Sequence, residues 1–317
     1  MNRRLAIRNL ITASAGSLFG HLLANDSTDK PEDAQRDYVL RSDVRLVLLD
    51  VSVRDSRGGF VSGLAKENFS VIENGRRQQI TVFANDDVPV TVGILVDESR
   101  SMTPKRSDVV AAAEIFIQES NPRDEVFILH FNDWVRRGLP ASELFSDDIQ
   151  KLRAALHRGV PAGKTALNDA VVTGLEQLEL GRRDKKALVV ITDGGDNASK
   201  HTRHDMLEMI ERNVATIYTI GLFDSADTEG DPSILRKLSR ISGGETYLPT
   251  ELNEMIPMCR RIAKDIRTRY TIGYVPPAAN GSLRHIEVRG SAPGHGSLVI
   301  RTRTSYRYDD IQSQKSQ

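Results

Sequence analysis

The sequence has little or none of several features that define common protein classes. It has a single cysteine, Cys259, among 317 residues, so a disulfide within the chain and a zinc site built from several cysteines are both excluded. Its 43 Lys and Arg balance its 43 Asp and Glu, and a chain without net charge gives no electrostatic reason to expect nucleic acid as the main partner. No uncharged apolar run reaches about 18 residues, so an ordinary membrane-spanning helix is not expected.

The composition is that of a globular protein with a substantial core. Hydrophobic residues make up 39% and charged residues 27% of the sequence, which is close to the usual balance of folded domains. A length of 317 residues favours two domains, or one domain with an appendage. These properties narrow the class of protein but do not indicate a function.

The N-terminal segment has the pattern of an export signal. Arg3, Arg4 and Arg8 form a basic head, and residues 10–24 contain no Asp, Glu, Lys or Arg. Cleavage after about Ala24 is therefore predicted, with the mature protein in the periplasm or outside the cell. The paired arginines before a weakly apolar stretch also resemble a twin-arginine signal. An amphipathic or disordered tail is the alternative.

Two regions with the period-two pattern of β-strands flank the centre of the chain. In the first, Asn74–Gly75 is a strong signal for a two-residue hairpin turn. Phe69–Glu73 and Gln79–Phe83 are predicted to be the two strands that this turn connects. The strand pattern returns after Arg269. Each flank has only about three strands with one apolar face, so we expect the two flanks to fold together into a β-sandwich-like module.

The centre of the chain alternates apolar strands with amphipathic helices. Val90–Val96 and Ala187–Thr192 are short apolar runs that suit buried strands, and Ala166–Leu178 places apolar residues at helical spacing. Such alternation predicts an α/β domain with a doubly wound, mostly parallel sheet and helices on both faces. The predicted organisation is a signal peptide at 1–24, a linker at 25–37, an N-terminal β segment at 38–88, the α/β domain at 89–262 and a C-terminal β segment at 263–309.

Three loops of the predicted α/β domain carry side chains with hard oxygen ligands. In a parallel α/β sheet, ligands bind beyond the carboxyl ends of the strands. Asp97, Ser99 and Ser101 follow one strand at a spacing of two, so an extended loop can aim all three oxygens to one side. Thr165 stands just before a helix, and Asp193 directly follows another strand. Two carboxylates and three hydroxyls suit Mg²⁺ or Mn²⁺ and do not suit zinc.

This order of residues on an α/β frame resembles the metal-ion-dependent adhesion site of von Willebrand factor type A domains. The resemblance covers about residues 89–262, and all five positions of the motif are filled. One metal position is expected to stay open for an Asp or Glu carboxylate of a protein partner. The strand-rich flanks are also similar to those of bacterial von Willebrand factor A-related proteins. The resemblance implies direct or water-mediated metal contacts from Asp97, Ser99, Ser101, Thr165 and Asp193.

Two positions depart from the pattern of the family. Small residues commonly stand beside the serines of the motif, whereas here Glu98 and Arg100 do. These charged side chains are expected either to crowd the open face of the metal and help to select its ligand, or to form an ordinary solvated pair. Some site residues also have a structural explanation when taken alone, because Thr165 is a good helix N-cap and Asp193 followed by Gly194 is an ordinary turn.

The function that these residues favour is metal-dependent recognition of a protein partner outside the cytoplasm, without catalysis. One alternative is a structural or assembly scaffold whose metal site is idle or only stabilising. Another is a nucleotide hydrolase, because Gly163, Lys164 and Thr165 imitate the end of a phosphate-binding loop. However, Gly159 stands one residue too close, and a helix is predicted where a strand should precede such a loop, so no nucleotide is expected. A serine hydrolase is weaker still, since the G-x-S-x-G motif is missing.

Two rare residues are expected to serve packing. Trp134, the sole tryptophan, follows a strand end and is predicted to pack in the core or at a sheet edge. Cys259 lies in a predicted helix, where it is expected to be a small, buried or half-buried hydrophobic residue. The seven histidines show no metal-binding spacing such as H-E-x-x-H.

Overall fold

The structure is a computed structural model that describes residues 46–193, 195–223, 230–277, 283–292 and 294–307. The predicted signal peptide and linker lie outside the described residues, as does Gly194 of the predicted turn. The described residues all belong to one compact unit, Val44–Gln317. Among them there is no helix with the length and apolarity that crossing a membrane requires.

The described secondary structure follows the predicted order, with strand-rich flanks around an alternating centre. The helices are α1 (Arg106–Glu119), α2 (Ile149–Leu156), α3 (Leu167–Glu179), α4 (Arg203–Arg212), α5 (Pro232–Ser242) and α6 (Met255–Thr268). The strands are β1 (Val47–Arg54), β2 (Phe69–Glu73), β3 (Arg76–Gln78), β4 (Ile80–Ala84), β5 (Val90–Asp97), β6 (Glu125–Phe131), β7 (Val135–Arg137), β8 (Lys185–Thr192), β9 (Thr216–Gly221), β10 (Thr246–Tyr247), β11 (Tyr270–Tyr274), β12 (Leu283–Gly290), β13 (Val299–Arg301) and β14 (Ser305–Arg307).

The central sheet lies in the alternating part of the chain and has the strand order β10-β9-β8-β5-β6-β7. Its neighbouring strands are parallel except for β6 and β7, which form an antiparallel pair at one edge. β5 and β6 are buried along their whole length, because helices pack against the sheet, as a parallel sheet requires. The predicted doubly wound, mostly parallel sheet is confirmed.

The two flanks of the chain meet in a β-sandwich. One of its sheets has the order β13-β1-β11-β4 and the other β14-β12-β2-β3, so each sheet combines strands from both flanks. β1 pairs antiparallel with β11, and Leu49 lies opposite Ile272. In the core between the sheets, the rings of Phe69, Phe83 and Tyr270 have centroids 5.2 to 5.8 Å apart. The predicted module built from both flanks is confirmed.

The hairpin at Asn74–Gly75 differs from the prediction in its second strand. Both turn residues have positive φ, 47° and 77°, as a type I′ turn requires. The strand that returns from the turn is β3, whereas the predicted partner, Gln79–Phe83, falls mostly in β4 and pairs with β11 in the other sheet. The chain crosses between the sheets here because β3 carries no apolar side chain, while Ile80 and Phe83 pack against the sandwich core.

A network of buried charges joins the sandwich to the α/β domain. Asp265 on α6 accepts hydrogen bonds from Ser52 of β1 and from Tyr218 of β9. Its carboxylate also lies 2.9 Å from Nη2 of Arg269, and this guanidinium donates to the main-chain carbonyl of Gly243 at 2.7 Å. Asp265 and Arg269 are both buried. The two modules are therefore held together by an ion pair whose hydrogen bonds reach both of them.

Candidate metal centre

The first loop of the candidate site begins where β5 ends. Ser99 has an extended backbone, and the short 3-10 turn Arg100–Met102 follows it. Oδ1 of Asp97 accepts the N–H of Ser99 at 2.8 Å, and the hydroxyls of Ser99 and Ser101 lie 3.0 Å apart. These contacts place the three residues next to one another at the end of β5.

The second carboxylate oxygen of Asp97 is held by the neighbouring strand. β5 and β8 run parallel with Val96 opposite Ile191, which places Thr192 beside Asp97 and Asp193 one residue beyond. Oγ1 of Thr192 donates to Oδ2 of Asp97 at 2.6 Å. Sequence reasoning missed Thr192, although the parallel register of two buried apolar strands was a signal that could have found it.

The two carboxylates of the site make each other's charge unfavourable. Asp97 is 1% exposed and Asp193 is 3% exposed. Burial, and after it the negative charge of Asp193, raises the pKa of Asp97 to about 7, against the hydrogen bonds from Thr192 and Ser99. A second carboxylate in a dry site favours a proton or a cation on the pair. A hard divalent cation bound at the site would therefore relieve the repulsion between the two buried carboxylates.

Thr165 reaches the site on a loop that is tied to the other two. The N–H of Ala162 donates to the carbonyl of Glu98 at 2.8 Å, which joins this loop to the first one. The N–H of Thr165 donates to Oδ1 of Asn197, and the N–H of Asn197 donates to the carbonyl of Thr165, both at 2.9 Å. Thr165 does not cap α3, because the N-cap residue is Ala166. The structural explanation for Thr165 is therefore wrong.

The five predicted residues thus lie on three hydrogen-bonded loops at the carboxyl edge of the central sheet. Within the described residues, no group of three or more His, Cys, Asp and Glu side chains is arranged to hold a metal ion. A metal at this edge would therefore depend on hydroxyl oxygens together with two carboxylates. That donor set fits Mg²⁺ or Mn²⁺.

Glu98 turns into the protein instead of towards solvent. Its Oε2 lies 2.9 Å from Nε of Arg106, and its Oε1 lies 3.0 Å from Nδ1 of His130. Nε2 of the same imidazole lies 2.9 Å from the carbonyl of Ala155, so both ring nitrogens have a hydrogen-bond partner inside the protein. Glu98 is therefore not half of a solvated pair, whereas Arg100 is exposed.

Gly159 makes room for the buried Glu98 carboxylate. A Cβ atom at this position would stand 1.7 Å from Oε1 of Glu98 and 2.6 Å from Nδ1 of His130. The absence of a side chain lets the loop before α3 approach the loop after β5. Sequence reasoning considered Gly159 only for its phosphate-loop spacing and missed this role. The element before the loop is the helix α2, and a phosphate-binding loop would follow a strand.

The two rare residues behave differently from each other. Cys259 on α6 is buried, as predicted. Trp134 is 56% exposed and lies at the sheet edge, which is the second of its two predicted positions. The guanidinium of Arg136 lies 5.2 Å from the centroid of the Trp134 ring. The ring stays outside the core because it belongs to the turn that leads into β7, a three-residue edge strand.

The fold and the loop geometry define an α/β domain with an oxygen-rich site at the carboxyl edge of its sheet. Residues 92–195 match the family model of the von Willebrand factor type A domain. The matched stretch contains all five candidate metal residues. Over these residues the chain is therefore similar to the von Willebrand factor type A domain, and a β-sandwich accompanies this part of the fold. Comparison with curated proteins gives no match.

Solved structures share this fold at low sequence identity. A von Willebrand factor type A protein from Catenulispora acidiphila superposes with a TM-score of 0.50 at 14% identity, over 83% of this chain and 74% of that one. Proximal thread matrix protein 1 from the mussel byssus superposes with a TM-score of 0.50 at 12% identity, over 62% of this chain and 51% of that one. These identities support a common fold and nothing finer.

Proposed function

We propose that this protein recognises a protein partner through a divalent metal ion held at the candidate metal centre. The ion would be Mg²⁺ or Mn²⁺, which prefer such oxygen ligands. The observation that carries the proposal is the buried pair of carboxylates with a raised pKa for Asp97, placed where an α/β sheet binds ligands. The residues that would hold the ion are Asp97, Ser99, Ser101, Thr165 and Asp193.

The bound ion would supply a Lewis-acidic position for an Asp or Glu carboxylate of the partner. The chain's own residues prepare the site, because the Ser99 N–H and the Thr192 hydroxyl each hold one oxygen of Asp97. This orients the carboxylate before any ligand arrives. The hydroxyl ligands add no negative charge, so more of the ion's charge is left for the partner. Asp97 must lose its proton for the ion to bind.

Glu98 and Arg100 have different roles in this proposal. Glu98 fixes the first loop from inside through Arg106 and His130. Arg100 is exposed between the two serines, where its guanidinium would meet the acidic group of the partner and help to select it. A scaffold with an idle or purely stabilising metal site is the competing proposal.

A non-catalytic role is the simplest reading of the serines in the first loop. A serine nucleophile needs a hydrogen-bonded base. His130, which lies behind this loop, is instead bonded to Glu98 and to the carbonyl of Ala155. The hydroxyls of Ser99 and Ser101 face each other, which suits ligation better than proton transfer.

Affinity capture from the source cells tests the proposal against the scaffold alternative. The full-length protein and its Asp97→Ala variant are each immobilised and washed with either magnesium or a chelator. We expect partner proteins to be retained only by the unchanged protein with magnesium. Retention that is the same with chelator, together with a metal-dependent rise in melting temperature, would favour the scaffold. Calorimetric titration without any magnesium or manganese response at millimolar concentration would contradict the metal site itself.

We also propose that the protein acts outside the cytoplasm. The support is the basic head at Arg3, Arg4 and Arg8 and the uncharged stretch that follows. N-terminal sequencing of protein from native cells should find a start after about Ala24, and an intact Met1 in cytosolic protein would contradict export. Replacing Arg3 and Arg4 by Lys should impair export only if the twin-arginine route is used.

A further inference from the structure

The sole tryptophan of the chain lies on the surface beside the candidate metal centre. The carbonyl of Trp134 accepts the N–H of Asn132 at 3.2 Å, and the carbonyl of Asn132 accepts the N–H of Ala166 at 2.7 Å. Ala166 directly follows Thr165. Two main-chain hydrogen bonds therefore join the tryptophan turn to the loop that carries a candidate metal ligand.

A second apolar side chain is exposed on the neighbouring loop. Val160 is 69% exposed and directly follows Gly159, which packs against Glu98 of the first loop. Trp134 and Val160 therefore place apolar surface on two of the loops that surround the candidate metal centre. Exposed apolar surface with a polar rim commonly marks an interaction site.

Three exposed cations lie on the same loops as these apolar side chains, together with the half-buried carboxylate of Asp133, which accepts the N–H of Lys164 at 3.3 Å. Arg136 stacks over the Trp134 ring. The N–H of Arg100 donates to the carbonyl of Gly163 at 3.3 Å, and Lys164 directly follows Gly163 in the chain. Within the described parts of the chain, none of the three forms an ion pair with a carboxylate. Elsewhere on the same domain surface arginines are paired, as in the 2.8 Å contact of Arg203 with Asp231. We call Trp134, Val160, Arg100, Arg136 and Lys164 the rim patch.

We propose that the rim patch binds an acidic segment of a partner protein that carries an aromatic or aliphatic side chain next to its metal-binding carboxylate. The unpaired cations would attract flanking acidic residues, and a basic segment would be repelled. The flat face of Trp134 offers the kind of surface on which binding energy concentrates in interfaces, as do arginines. The inference rests on the proposed function, because the carboxylate at the metal sets the position of the segment.

Two fluorescein-labelled probe peptides test this inference by anisotropy with magnesium or chelator. The peptide EFDLE has apolar and acidic neighbours around its aspartate, and GGDGG has neither. The unchanged protein should bind EFDLE about tenfold more tightly than GGDGG in magnesium. The emission of Trp134 should also shift when unlabelled EFDLE binds, since no second tryptophan contributes.

Variants then separate the rim patch from the metal centre. Trp134→Ala should weaken EFDLE about tenfold and leave GGDGG within about twofold, and Trp134→Phe should restore most of the loss. Leu180→Ala is the matched control, because Leu180 is 59% exposed but lies at the far end of α3, away from the metal loops. Lys164→Glu should weaken EFDLE and reduce the salt dependence of its binding.

Each failure has a distinct signature. If both peptides bind in a magnesium-dependent way and Trp134→Ala affects them equally or not at all, the inference is wrong and the proposed function stands. The affinities of both peptides in magnesium are also compared between the unchanged protein and Asp97→Ala. If neither peptide binds the unchanged protein more tightly than the variant, the proposed function fails and the inference falls with it.

Discussion

Two aspartates that are equally buried lie in opposite electrostatic surroundings. Asp265, where the sandwich joins the α/β domain, and Asp97, at the carboxyl edge of the central sheet, are each 1% exposed. Burial raises the pKa of Asp265, but the Arg269 guanidinium and the hydrogen bonds from Ser52 and Tyr218 outweigh it and lower that pKa to about 2. Burial and a neighbouring carboxylate raise the pKa of Asp97 to about 7.

The difference between them separates structure from function. The charge of Asp265 is balanced by other groups of the protein, so this carboxylate stabilises the native state at every pH at which it is ionised. Asp97 is beside another carboxylate, and a cation from outside would favour its ionised form by balancing the two charges. A buried carboxylate that disfavours folding in its charged form is a candidate for a binding role.

The largest effect should follow from breaking the balanced site. Asp265→Ala should lower the free energy of unfolding by about 3–5 kcal/mol, because Arg269 stays buried without its carboxylate. Urea unfolding measures this, with Glu287→Ala as the control. Glu287 pairs with Arg289 on the surface, where loss of an ion pair changes stability little because water screens the charges. Similar losses for the two variants would refute the contrast between a structural and an exposed pair.

Metal binding at the site of Asp97 should stabilise the protein by a smaller amount. At a magnesium concentration of about 100 times Kd, the free energy of unfolding should rise by about 2.7 kcal/mol, seen as a higher melting temperature. Asp97→Ala should show no such response. The double variant Ser99→Ala with Ser101→Ala should show an intermediate one, because neutral hydroxyls contribute less than a carboxylate. An unchanged magnesium response in Asp97→Ala would place the ion elsewhere.

The pH dependence of the metal-free protein should reveal the raised pKa. Because the native state of Asp97 holds its proton up to about pH 7 and the unfolded state loses it near pH 4, ionisation costs stability as pH rises between these values. Asp97→Asn does not titrate. The two proteins should therefore have the same free energy of unfolding near pH 4. By pH 7 the variant should be more stable by about 1–3 kcal/mol, and this difference should stay constant at higher pH. A gain that grows towards acid pH would reverse the sign and exclude this explanation.

A change in stability of comparable size should come from filling the space beside Glu98. Gly159→Ala should cost about 1–3 kcal/mol, since its Cβ would overlap the Glu98 carboxylate and the His130 ring. It should also weaken magnesium binding, because the two metal loops meet there. A double-mutant cycle with Glu98→Ala measures the coupling. Additive losses would show that the overlap with Glu98 is not the cause.

Much of the architecture could be read from local patterns in the sequence. Apolar periodicity predicted the alternating centre, and the turn chemistry of Asn74–Gly75 predicted a type of turn that depends only on its own φ angles. The positions of Asp97 and Asp193 followed from a rule about parallel strands, because a residue just after a strand must lie at the carboxyl edge. Each of these inferences involves residues close together in the chain, where propensity and spacing act directly.

Only the tertiary structure decided which distant segments meet. Three features join parts of the chain that are far apart in sequence. They are the pairing of β4 with β11 in the sheet that does not contain β3, the hydrogen bond from Thr192 to Asp97 and the burial of Glu98 beside Gly159. Trp134 shows the same limit, because an aromatic residue after a strand suits a core or a surface equally well until its neighbours are known. The physical reason is that burial and pairing belong to contacts between elements, whereas a sequence pattern describes one element at a time.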